Sequence, residues 1–79
     1  MAMATEMLWR VVSVDEKVLK VLFEGRLLMF QGFVVVIDEA GNISTGDTVH
    51  EAVSKYLRLV GRDDLVDMIN NHHAFIEVG

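Results

Sequence analysis

Residues Asp38 to Val53 read DEAGNISTGDTVHEAV, and their reading decides the fold. Asp38, Gly41 and Asn42 are turn formers placed directly after a run of β-branched residues, so the chain reverses here. Thr48 stands three residues before Glu51, the spacing of a capping box that satisfies orphan N–H groups at a helix start. Beyond it Val49, Ala52, Val53, Tyr56, Leu57 and Val60 recur at the spacing of one helical face, while His50, Glu51, Ser54, Lys55 and Arg58 fall on the other. Gly61 is placed to end that helix in the left-handed conformation. The stretch therefore predicts a strand, a turn and an amphipathic helix over residues 48–60.

Working back toward the amino end, GFVVVID at residues 32–38 is apolar on both faces. Such a strand belongs inside a sheet, or between a helix on one side and a partner on the other. LWRVVSV at 8–14 and KVLKVLF at 17–23 are further strand candidates, separated by the breaks DEK, EGR and QG. Residues 14–23 carry a competing pattern, because Ser13 with Glu16 forms a capping box and Val14, Val18, Val21 and Leu22 recur at helical spacing. The density of Val and Phe favours strand. Working forward, a short helix over 63–70 places Leu65, Met68 and Ile69 on one side, and residues 73–78 read as a closing strand. No proline, repeat or low-complexity run marks a linker. The expectation is one α+β domain over 1–79: an antiparallel meander of three or four strands, then two helices and a closing strand.

Seven basic against twelve acidic residues give a net charge of −5. A surplus of Lys and Arg, which phosphate-backbone binding needs, is absent, so nucleic acid is not an expected partner. Hydrophobic residues make up 52% of the chain, against roughly 45–50% in soluble domains. A chain of 79 residues has little interior in which to hide them. An apolar patch covered by a second copy or by a partner is therefore expected. With no cysteine there is no disulfide, thiolate nucleophile or thiolate zinc site. The start, MAMATEMLWR, lacks a basic leader, and the apolar run Leu27 to Ile37 is interrupted at Gln31 and Gly32 and is too short to span a bilayer. A cytoplasmic, membrane-free location is expected.

Candidates for chemistry are few. His72 and His73 with Glu77 suggest a metal, but neighbours on a strand point to opposite faces, and His50 with Glu51 diverges on a helix. Asp63, Asp64 and Asp67 gather at a helix start and Asp15, Glu16, Glu24, Asp38 and Glu39 lie in turns, where capping and the helix dipole explain them. Trp9, Phe23, Phe30, Phe33, Tyr56 and Phe75 read as core, with Met29 and Phe30 as adaptable contact residues. No catalytic residue, cofactor or metal is expected.

The opening stretch resembles the signature of the HicB family of antitoxins, in which a Pro-Asp-Leu-Pro-Gly turn leads through a short strand to Gly-Asp-Thr and Glu-Ala. Asp38, Gly41, Gly46, Asp47, Thr48, Glu51 and Ala52 fall at the family's spacing, and Gly32-Phe33 resembles the start of the strand before the turn. Ile37 and Ala40 stand where the family has its two prolines, and Asn42 where it often has cysteine. The resemblance implies a partial RNase-H-like fold and a role in neutralising a small basic RNA-cleaving toxin by covering its catalytic histidine. A second resemblance, to Sm-like RNA-binding proteins, rests on Gly25-Arg26, Gly32, Asp38 and Asn42. It implies a closed five-strand barrel assembled into a ring, although two extra residues separate the glycines, no Arg-Gly second motif follows and the helices come after the strands. A self-associating domain of another role is the third reading.

Overall fold

The computed structural model describes residues 3–14 and 18–79. Its strands are β1 (Thr5–Ser13), β2 (Lys20–Phe30), β3 (Phe33–Ile37) and β4 (Ile43–Gly46), followed by helices α1 (Val49–Leu59) and α2 (Asp63–Asn70) and strand β5 (Ala74–Val78). The strands form one antiparallel sheet in the order β4-β3-β2-β1-β5. The first four make a meander, and the helical excursion returns the chain so that β5 pairs with β1. The sheet is open, with β4 at one edge and β5 at the other.

Register sorts the side chains. Trp9 and Val11 of β1, Leu27 of β2 and Val34 and Val36 of β3 share one face and pack with Ala52, Val53, Tyr56 and Leu57 of α1 and Leu65, Val66 and Ile69 of α2. Both helices therefore cover the same side. On the other side Leu8, Arg26, Ile37 and Ile43 form one cross-strand row, and Leu8, Ile37 and Ile43 are exposed. Phe30 and Phe33 stack at the end of the β2–β3 hairpin, centroids 4.7 Å apart. β3 thus lies inside the sheet with α1 on one face and no element on the other, the placement its two-sided apolar pattern predicts.

Two sequence expectations need correction, on Glu24-Gly25-Arg26 and on Ser54, and the alternative left open over 14–23 is decided for strand from Lys20 on. Glu24-Gly25-Arg26 is not a break between strands; it lies inside β2, which continues to Phe30. The capping-box pattern of Ser13 with Glu16 does not produce a helix over 14–23, since Lys20 to Phe23 are strand paired to β1; residues 15–17, including Glu16, lie outside the described residues. Ser54, expected on the solvent side of α1, is buried, and its hydroxyl makes no hydrogen bond. The remainder of α1 keeps its expected face, with Thr48 as N-cap and Val60 as C-cap. At its end Gly61, φ 78°, donates to the Arg58 carbonyl at 3.1 Å and Arg62 to that of Leu57 at 2.7 Å, the bond pair of a Schellman motif. Among the described residues no helix is long and apolar enough to cross a membrane.

Candidate functional site

The turn after β3 is built around one carboxylate. Asp38 Oδ1 accepts from the Asn42 backbone N–H at 2.9 Å, and Oδ2 accepts from the Asn42 side-chain amide at 2.9 Å and from the Tyr56 hydroxyl at 2.7 Å. Gly41, at φ 90°, lets the chain turn back so that its N–H reaches the Asp38 carbonyl at 3.2 Å. Asn42 first and Tyr56 second hold the Asp38 carboxyl down at about 2, because each donates to its charged form. Burial, reinforced by the same carboxylate, pushes the Tyr56 hydroxyl up to about 12. Neither group exchanges a proton near neutral pH, so the pair works as a clamp between the hairpin and α1.

The rest of the motif serves the same junction. A Cβ on Gly46 would lie 2.7 Å from the backbone nitrogen of Ala52, so only glycine lets the first turn of α1 lie against the end of β4. Thr48 Oγ1 accepts from the Glu51 N–H at 3.2 Å. Glu51 reaches back to the Asp47 N–H at 3.4 Å, one residue beyond the N-cap N–H that is its reciprocal partner in a capping box. Its carboxyl is held below the ordinary carboxylate range, chiefly by the hydrogen bond from Lys55. Ala52 is fully buried, and its carbonyl accepts the Ser44 hydroxyl at 2.7 Å.

Beside this junction lies a cleft of about 460 Å³. It arises from a mismatch in strand length: β3 pairs only with Arg26 to Phe30, so Lys20 to Gly25 of β2 are paired to β1 alone. Its floor contains Trp9, Phe23, Leu27 and Tyr56, and its rim carries Glu6, Glu24, Asp38, Glu39 and Arg26. Trp9 is fully buried and crosses β2 where Gly25 has no side chain; a Cβ there would lie 2.7 Å from the indole. Its Nε1 donates to the Arg26 carbonyl at 3.2 Å. Phe23 stacks on Trp9 at 5.6 Å and Tyr56 meets Trp9 edge-on at 5.7 Å. A glycine inside an apolar strand was the available sign of this close approach.

The other candidates do not converge. His72 occupies the left-handed position after α2, φ 62°, and its N–H donates to the Ile69 carbonyl at 3.1 Å, while that of His73 donates to the Met68 carbonyl at 2.8 Å. His73 therefore precedes β5 and does not begin it. Asp64 pairs with Arg62 at 3.1 Å, and among the described residues no three His, Asp or Glu side chains are grouped to hold a metal ion. Phe75 is exposed on the side away from the helices. Comparison of the chain with protein-family models, with curated proteins and with solved structures finds no match.

Proposed function

We propose that the chain is a non-enzymatic protein-interaction module of HicB-like antitoxin type, which acts in the cytoplasm by covering a small basic protein. The observation that carries the reading is the cleft beside β2, lined by Glu6, Glu24, Asp38, Glu39 and Arg26, where half-buried Phe23 is the aromatic ring open to a partner and Trp9 and Leu27 lie fully buried beneath. Carboxylates at the rim steer a basic partner and reject an acidic one, while the apolar floor holds the complex. The net charge of −5 adds to the steering.

The junction supports the family resemblance in physical terms. Asp38, Gly41, Gly46, Asp47, Thr48, Glu51 and Ala52 each make a turn, cap or packing contact that holds the strand, turn and helix together. An open sheet with helices on one face suits this reading, and gives no support to a closed barrel of Sm-like type. Self-association, also part of the proposal, is assigned to the uncovered face around Phe33, Ile37 and Ile43.

Co-expression with a small basic RNA-cleaving protein, sought among the products of neighbouring genes, tests the proposal. The expected result is a co-purifying complex and relief of that protein's toxicity. Absence of both, or RNA binding by the chain that falls steeply with salt, would remove the basis of the reading.

A further inference from the structure

We infer that the unpaired edge of β2 at Lys20–Gly25, with the cleft beside it, is a docking groove for an extended Lys- or Arg-bearing segment of the basic partner, added to the sheet as a strand in line with β3. The inference rests on the proposed reading and names the surface it uses. Three observations meet there.

The first is the backbone. β2 runs eleven residues, but β3 pairs with Arg26 to Phe30 only, and among the described residues Lys20 to Gly25 make no backbone hydrogen bond to any element but β1. An unsatisfied strand edge is a template for another strand, and main-chain pairing supplies affinity while side-chain pockets supply specificity. On the edge Val21 is 49% exposed, and just ahead of it Val18 and Leu19 are 75% and 61% exposed.

The second is the cleft. Side chains of an added strand alternate between the two faces of the sheet. Those on the helix side enter the cleft along Phe23 and Tyr56, and those on the other side meet Glu24. Among the described residues the other edges offer less: β4 is four residues long and Lys55 already bonds its Thr45 carbonyl at 3.1 Å, and the start of β1, Thr5–Met7, which β5 does not reach, borders a smaller hollow of about 320 Å³ with one carboxylate, that of Glu6, already paired to Arg26.

The third is charge, which selects the occupant. Of the basic side chains near the cleft, Arg26 is paired to Glu6 at 3.3 Å, Arg62 lies over the Phe23 ring at 5.6 Å and is paired to Asp64 at 3.1 Å, and Lys20 stands at the far end of the edge. Asp38 is already bound by Asn42 and Tyr56. Glu39 makes no ion pair among the described residues, and Glu24 reaches Arg10 only at 3.8 Å. The mouth thus presents Glu39, and Glu24 through its long contact with Arg10, to an incoming cation, and the four carboxylates against one guanidinium in the lining leave it net negative, so a second acidic copy of this chain would add like charge to like.

The test titrates the isotope-labelled chain with the octapeptide acetyl-(Lys-Val)4-amide and follows amide NMR shifts. Binding is expected with shifts concentrated at residues 20–26 and 38–39. It should weaken about tenfold in the double variant E24K/E39K, whose side chains are exposed. A peptide N-methylated at alternate residues, which lacks donors for the edge, should not bind. The inference is overturned if the peptide does not bind, if the N-methylated or an acetyl-(Glu-Val)4-amide peptide binds equally, if the shifts fall on Phe33, Val35 and Ile37 instead, or if a dimer of the chain already occupies residues 20–25. Undiminished capture of the basic partner by E24K/E39K would refute the groove and leave the proposed function standing. No capture by the parent chain, with peptide binding intact, would refute the function and leave the groove.

Discussion

Gly25 and Trp9 illustrate how one residue pair sets local structure. The indole lies across β2 because position 25 has no Cβ, and there its N–H satisfies the Arg26 carbonyl at 3.2 Å. Gly25→Ala puts a methyl 2.7 Å from the ring and should destabilise the fold by about 1–3 kcal/mol, as overpacking does. Urea unfolding followed by tryptophan fluorescence measures it, with a red-shifted native emission as the ring is displaced. Asp38 and Tyr56 make a second pair, with a pH signature. The folded Asp38 value of about 2 lies below the ordinary 3.8, so its stabilisation is complete above 3.8 and is lost as pH falls toward 2. The folded Tyr56 value of about 12 lies above 10, so the unfolded chain ionises first and stability is lost as pH rises from 10 to 12. Tyr56→Phe should cost about 1 kcal/mol near neutral pH. Its deficit against the parent should narrow at both extremes, which unfolding curves across pH detect.

At the scale of elements, the amphipathic face, the Thr48 cap and the Gly61 stop of α1 were legible because each is local in sequence. The course of β2 was not. Glu24-Gly25-Arg26 has the composition of a turn, and what overrides it is a contact sixteen residues away, since Gly25 sits opposite Trp9. The end of α2 at Asn70 was legible as well, but the way the chain leaves it was not: a position that usually takes glycine holds His72 at φ 62°. Left-handed backbone costs an L residue roughly 1–2 kcal/mol. His72→Gly should therefore raise stability by about 1 kcal/mol, part of the gain being offset by the greater freedom of glycine in the unfolded chain. A rise in the thermal midpoint with the amide shifts of β5 unchanged is the expected observation.

For the whole molecule, composition foretold more hydrophobic residues than so small an interior can hide, and part of the surplus, Leu8, Phe33, Ile37 and Ile43, lies on the sheet face opposite the helices, while Met3, Val18, Leu19 and Leu59 are exposed elsewhere. Ile37 and Ile43 pair across β3 and β4 and are 39% and 55% exposed. The double change I37K/I43K should shift self-association toward monomer in light scattering and leave stability within about 0.5 kcal/mol of the parent. The cleft was not legible in the same way. Glu6, Glu24, Asp38 and Glu39 are scattered along the chain, and they surround one hollow only because β3 is five residues long and leaves β2 half covered. Charge and apolar content can be counted from sequence, whereas the point at which one strand outruns its neighbour depends on pairing register. Amide hydrogen exchange on the chain alone and in complex with the basic partner proposed for it bears most directly on the account. Added protection concentrated at Lys20 to Gly25 is the predicted result, and protection confined to the outer face or to the helices would contradict it.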